Sequence, residues 1–240
     1  MAYYDRIAKQ WHQATGYKGG AFKQYVLNEV LLNKIASIEN RSILELGAGN
    51  GYFLPLLLRH FSSEQPSSII ITDQSTELLK IAQNNFGIPD AQYQSLDVRN
   101  RFSFEDNCFD IIIAVMVFNE VPPKGFQYAL QECYRTLSPE GILLFAVTHP
   151  DFIASLHKRG LLLRADGNTL TTPGSGNLRL PVIVRSAEVY YRSLKEIGFE
   201  YESEDVFPTP KVLNEKSGLK NVANLPLALV LKCIKSSRYE

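Results

Sequence analysis

Residues Ile43 to Phe53, ILELGAGNGYF, constrain the fold more than any other stretch. An apolar run leads into an acid, then into glycines at alternate positions, Gly47, Gly49 and Gly51. That spacing suits a backbone that turns sharply at the end of a strand, where a Cβ would obstruct it. The segment FLPLLLRHF then reads as a helix, with Pro55 tolerated in its first turn. The alternation continues. SIIIT (68–72) reads as a strand, and STELLKIAQNNF as a helix with Ser75 or Thr76 as N-cap and Gly87 just past its end. AQYQSL is a third strand, and FDIIIAVMVF a fourth, apolar on both faces as a central parallel strand should be. FQYALQECYRTL is a helix closed by SPEG, and GILLFAV a fifth strand. Strands and helices alternating at this spacing predict a doubly wound α/β fold. Such sheets bind ligands beyond the carboxyl ends of their strands, near the switch in strand order.

The flanks add to this core. Tyr4, Ile7, Trp11 and Ala14 recur at helical spacing, GYKGG (16–20) interrupts, and Phe22, Val26, Val30 and Leu31 mark a second helix ending near Ile38. After His149 the rhythm changes. Residues 151–182 contain TTPGSGN and little periodicity, the mark of a lid or binding loop. A helix, AEVYYRSLKEI, and two strands, FEYESEDVF and LPLALVLKCIK, complete the chain. The expectation is one domain over residues 1–240: cap helices over 1–40, a ligand-binding core over 41–150, a lid over 151–182, and a C-terminal helix and strands over 183–240.

Composition narrows the partners. The 25 basic and 25 acidic residues balance, whereas a chain that grips nucleic acid by its phosphates normally carries a basic excess, so no nucleic-acid partner is expected. Cys108, Cys133 and Cys233 form no CxxC pair, and His12, His60, His149 and His157 form no HExxH, so no metal is expected. The start of the chain lacks an apolar core of signal-peptide length, and the longest apolar run, Ile111 to Phe118, is too short to cross a bilayer. No membrane contact and a cytoplasmic location are the expectations.

Three ligand classes compete for the glycine turn. A P-loop needs GxxxxGK[ST], and no Lys-Ser or Lys-Thr follows these glycines. A dinucleotide fingerprint needs GxGxxG, and Tyr52 stands at its third glycine position. ELGAGNG instead resembles motif I of the class I S-adenosylmethionine (SAM) methyltransferases, an acid followed by GxGxG. The resemblance implies that Gly47 and Gly49 let the backbone approach the methionine part and ribose of SAM, and that Glu45 reaches the methionine ammonium. Asp73, at the tip of the second strand, is implied to accept from the ribose hydroxyls, with Gln74 beside it; the same position also suits a helix N-cap. SLDV resembles the adenine site of the same family, which implies that Asp97 accepts from the adenine amino group and that the Val98 amide meets a ring nitrogen. Ala114 and Val115, at the end of the fourth strand, complete the implied cofactor set.

The resemblance continues through FDIIIAVMVFNEVP, which looks like motif IV, and LSPEGILLF, before a His-Pro pair after the fifth strand. It points to the UbiE-like group of small-molecule methyltransferases, over roughly residues 40–150 well and 186–235 loosely. It implies a Rossmann-like, doubly wound seven-stranded sheet of order 3-2-1-4-5-7-6 with strand 7 antiparallel. The implied reaction is methyl transfer from SAM to an oxygen or nitrogen of a small-molecule acceptor. The alternatives are a macromolecular methyltransferase acting on RNA or protein, and a SAM-binding protein without turnover.

Methyl transfer is an in-line displacement, and a base is needed only where the acceptor must lose a proton. Asn119 and Glu120 stand where the family often has two histidines. Either can orient an acceptor, and a structural role for Glu120 competes evenly. His149 is the best base candidate, against the reading that His-Pro merely fixes the exit of the strand. Tyr4 and Trp11 are candidates for lining the acceptor pocket, although they share a packing stripe. Tyr17, in the GYKGG break, and Lys23 are the two candidates for the methionine carboxylate, although Lys23 reads first as a solvated helix charge.

Overall fold

The computed structural model describes residues 3–164, 170–173 and 178–236. Helix α1 (Tyr3–Thr15) and a short 3-10 turn lead into one helical rod made of α2 (Gly20–Phe22), a π-helical segment (Lys23–Leu27) and α3 (Asn28–Asn33). The core follows as β1 (Ser42–Leu46), α4 (Phe53–His60), β2 (Ser68–Asp73), α5 (Thr76–Phe86), β3 (Gln92–Ser95), β4 (Phe109–Val115), α6 (Pro123–Thr136) and β5 (Leu137–Thr148). The lid holds α7 (Pro150–Lys158), β6 (Leu163–Arg164), β7 (Leu170–Pro173) and β8 (Arg179–Val182). Then come α8 (Ala187–Ile197), β9 (Phe199–Val206), α9 (Pro210–Glu215) and β10 (Ala228–Lys235).

Seven strands form the main sheet in the order β3-β2-β1-β4-β5-β10-β9. The first five are parallel, and β10 runs antiparallel to both β5 and β9. Once the lid strands are set aside, β9 and β10 are the sixth and seventh strands, and the expected order 3-2-1-4-5-7-6 is met. The unbroken apolar run of β4 has its reason in burial on both faces. Ile111, Ile113 and Val115 pack with Leu27, Leu31 and Phe53 on one side, while Ile112 and Ala114 pack with Phe118, Phe126 and Phe145 on the other. Helix α5 begins at Ser75, whose Oγ accepts from the Leu78 amide at 3.2 Å, and ends at Gly87 in the left-handed region.

Three expectations are corrected. SPEG is not a loop: β5 already pairs at Leu137 with Phe109, and a register shift between Phe109 and Ile111, with Glu140 at φ 62°, absorbs the turn-like residues. The lid is not structureless, since α7 and a three-stranded antiparallel sheet β6-β7-β8 occupy its described part. Those strands are too short for a period to register. The second N-terminal helix stops at Asn33, not near Ile38. Among the described residues, no helix is long and apolar enough to cross a membrane.

Candidate active site

A cavity of about 1030 Å³ opens at the carboxyl ends of β1, β2 and β4. Helix α1 lies over it, and the lid closes its far side with Phe152, Leu156, Leu161, Leu180, Pro181 and Val182. Of the sequence candidates, Tyr4, Trp11, Glu45, Gly47, Gly49, Asp73, Gln74, Asp97, Val98, Val115, Asn119 and Glu120 all line it.

The glycine turn forms the floor. Gly47 sits at φ 60°, and a Cβ there would stand 2.5 Å from Val117 Cγ2, so both conformation and space call for glycine. The Gly49 amide donates to Asp73 Oδ2 at 2.8 Å, and the Ser75 amide to Asp73 Oδ1 at 2.8 Å. Each carboxylate oxygen retains acceptor capacity, so Asp73 can still receive two hydroxyls. Burial raises the Asp73 carboxyl, against those two amides. Asp73 is therefore both a loop anchor and a cavity acid, while Ser75 does the capping.

Glu45 is 2% exposed, and its Oε2 has no hydrogen-bond partner. Burial pushes its carboxyl from 4.5 to about 8; Lys23 draws it down and Asp73 pushes it further up. Lys23 is not a solvated charge. The π-helical segment turns it into the cavity, its Nζ 4.8 Å from the Tyr52 ring centroid and 5.5 Å from that of Trp11. Burial lowers it from 10.5 to about 8, opposed by Glu45, Glu120 and Asp73. Buried Glu45 and Asp73 and half-buried Glu120 thus act on the Lys23 ammonium, and their charged forms favour a ligand of net positive charge. A pyrophosphate does not suit the site.

Glu120 lines the same cavity. Its Oε1 accepts a short hydrogen bond from the Tyr4 hydroxyl. Burial raises its carboxyl from 4.5 to about 8; the Tyr4 hydrogen bond lowers it, Asp73 raises it and Lys23 lowers it. Asn119, by contrast, has its side chain committed to the fold. It donates to Met116 O at 3.2 Å and accepts from the Thr148 amide at 2.7 Å, stitching β4 to β5.

Three candidates do not line the cavity and one is altered. His149 lies outside the cavity lining and is 5% exposed. Its Nδ1 accepts from the Asp151 amide at 3.1 Å, capping α7, and its Nε2 faces Asp205 Oδ1 at 3.2 Å. Both ring nitrogens are spent, which removes it as a base and favours the strand-exit reading. Tyr17 is 61% exposed and packs on His12 and Phe86 outside the cavity, leaving Lys23 as the cation at that end. Ala114 is fully buried beneath the floor, so Val115 alone of that pair reaches the cavity. Asp97 lines the cavity, but its carboxylate is held by the Arg99 guanidinium at 2.6–3.0 Å, which keeps it below the usual carboxylate range.

Sequence reasoning missed the residues that dock α1. Asn50 Nδ2 donates to Gly16 O at 2.7 Å, and Ser75 Oγ lies 2.7 Å from Asp5 Oδ1. Asn50 is 2% exposed, and its place inside the glycine turn was the available signal.

Residues 43–141 match the family described as "Methyltransferase domain". The chain is 36% identical over 116 residues to a tRNA N(3)-methylcytidine methyltransferase of Drosophila melanogaster, covering 46% of this chain and 35% of that protein. It is 26% identical over 182 residues to malonyl-[acyl-carrier protein] O-methyltransferase 1 of Coxiella burnetii, covering 68% of this chain and 58% of that protein. The chain thus spans between about a third and three-fifths of these relatives. In fold it is similar to an S-adenosylmethionine dependent methyltransferase from Mesorhizobium loti, with a TM-score of 0.66 and 17% identity over 90% of this chain and 98% of that one.

Proposed function

We propose, from the premise that residues 43–141 form a methyltransferase domain of the class I, SAM-dependent kind, that the chain transfers a methyl group from SAM to an oxygen or nitrogen of a small-molecule acceptor. One observation carries the reading: a single cavity of about 1030 Å³ joins the acidic glycine floor to an apolar wall built by the lid. That volume is at the top of the range for single-ligand pockets, roughly 300–1000 Å³, and suits two ligands side by side.

The residues fit SAM. The partnerless Glu45 Oε2 is a ready acceptor for the methionine ammonium. The excess of buried acids over Lys23 suits a ligand whose sulfonium and ammonium outweigh its carboxylate. Of the two candidates for the methionine carboxylate, Lys23 takes the role, since Tyr17 lies outside the cavity. Asp73 holds the ribose, while Leu96 and Val98 flank the adenine. When bound, SAM supplies a methyl group already activated by its sulfonium. The chain aligns the acceptor against it and excludes water, which α1 and the lid achieve together.

The identity with a tRNA-modifying relative favours a second reading, an RNA acceptor. Zero net charge and an apolar lid wall weigh against it. Incubation with methyl-labelled SAM and, in separate reactions, total tRNA, total protein and a small-molecule extract tests the choice. An Asp73→Ala, Gly49→Val double variant is the blank. Label in the small-molecule reaction supports the proposal; label in tRNA or protein replaces it with a macromolecular acceptor. No label above the blank from a protein that binds SAM leaves cofactor binding without turnover.

A further inference from the structure

We propose that Glu120, positioned by Tyr4, takes the proton of the methyl acceptor, and that the acceptor is a hydroxyl or amine on an apolar frame and not a carboxylate. This rests on the cavity being the methyl-transfer site.

The loop after β4 is clamped at nearly every polar group except the Glu120 carboxyl. Met116 stands at φ 63° with its amide on Ala146 O at 2.9 Å. Asn119 is tied to Met116 and Thr148, and its carbonyl accepts from the Ile183 amide at 2.8 Å. Arg185, 7% exposed, donates to Phe118 O at 2.9 Å and Val121 O at 2.6 Å while its guanidinium lies 4.4 Å from the Phe126 ring centroid. A loop held this way fixes where Glu120 points. Its side chain lines the cavity, and among the described residues its hydrogen-bond partner is Tyr4 alone, through Oε1. Oε2 stays available to a ligand.

The surroundings set the acceptor class. Apart from the exposed Arg159, the lid wall is apolar, so the body of the acceptor is apolar. Asp73 on β2 is a like charge that raises Glu120, Lys23 on the π-helical segment opposes it, and Tyr4 on α1 donates to it. In its charged form Glu120 would repel a carboxylate acceptor, whereas it would hold an ammonium or hydroxyl. Burial also brings the Glu120 carboxyl to about 8, which suits a proton acceptor working near neutrality. In the step, the lone pair of the acceptor oxygen or nitrogen forms the bond to the methyl carbon. The carbon–sulfur bond breaks with its pair left on sulfur, and the acceptor proton passes to Glu120 Oε2.

Three probes on one frame test this: 2-naphthol, 2-naphthylmethylamine and 2-naphthoate. Their binding to the protein loaded with S-adenosylhomocysteine and their methylation from labelled SAM are measured at pH 7.5. The expected result is methylation of the naphthol or the amine and exclusion of the naphthoate. Glu120→Gln should slow transfer about a hundredfold, a larger effect than its weakening of SAM binding, while naphthoate binding gains about tenfold. Glu120→Asp should recover part of the rate, and Tyr4→Phe should slow transfer without admitting naphthoate. A merely structural Glu120 would not exchange one probe for another. Methylation of the naphthoate, methylation of none of the probes, or full activity in Glu120→Gln overturns the assignment. Failure of the wild-type protein to bind SAM overturns the reading of the cavity beneath it.

Discussion

Glu45→Gln separates the cofactor end of the site from everything else. Burial holds the Glu45 carboxyl at about 8 instead of 4.5, and its Oε2 is partnerless. At about 1.4 kcal/mol per pH unit, that displacement disfavours the charged form by on the order of 5 kcal/mol. In the ligand-free protein the folded state keeps a proton that the unfolded chain gives up. The stability tied to Glu45 is therefore complete below pH 4.5 and is lost as pH rises through about 8. Lys23 has the opposite sign. Its folded value of about 8 lies below 10.5, so its contribution is complete above pH 10.5 and is lost as pH falls through about 8. Together they place a stability minimum near pH 8, which Glu45→Gln should flatten on its acid side. A ligand ammonium takes the place of the Glu45 proton. SAM binding to the wild-type protein should release that proton, and affinity should rise by up to about tenfold per pH unit between pH 6 and 8. Glu120 keeps its own share of the linkage in the variant. The lost charge-assisted hydrogen bond, about 1.5–3 kcal/mol, weakens binding by about tenfold to somewhat over a hundredfold. Isothermal titration in two buffers of different ionisation enthalpy measures both quantities. Equal proton release by the two proteins, with equal affinity, would refute Glu45 as the ammonium site.

Other variants report on separate parts of the architecture. Gly47→Ala puts a Cβ 2.5 Å from Val117 Cγ2 at φ 60°, and chemical denaturation should show a loss of about 2–4 kcal/mol together with loss of SAM binding. His149→Ala removes the α7 cap and should lower stability by about 1–2 kcal/mol while leaving SAM affinity unchanged by titration. Arg99→Ala releases the Asp97 carboxylate, whose protonation midpoint should rise toward the usual carboxylate range in an NMR titration.

The sheet was legible because its signals are local and repeated. ILEL and IIIT are consecutive strands that pair in space, FDIIIAV reads as a central strand from its own apolar run although it pairs back to β1, and the glycine turn marks the cavity floor. Ser75 and Gly87 announced both ends of α5. The lid strands were illegible because two to four residues cannot show a period. Residue types on their own misplace site residues where tertiary contacts decide the outcome. His149 has the right chemistry at the right strand tip, yet Asp205, from a strand more than fifty residues later, and the Asp151 amide claim its ring. Lys23 sits on a helix that reads as amphipathic, and only the π-helical segment turns it inward. Glu120 read equally as structural or functional until α1 brought Tyr4 across to it, 116 residues away in sequence.

A crystal structure with bound S-adenosylhomocysteine tests the central claim most directly. The predicted placement puts the ligand on the glycine floor, its amino group at Glu45 Oε2, its ribose hydroxyls at Asp73 and its adenine beside Val98, with the lid side left open for an acceptor. An adenine placed at Glu45 and Lys23, or a ligand seated against the lid wall, would contradict it.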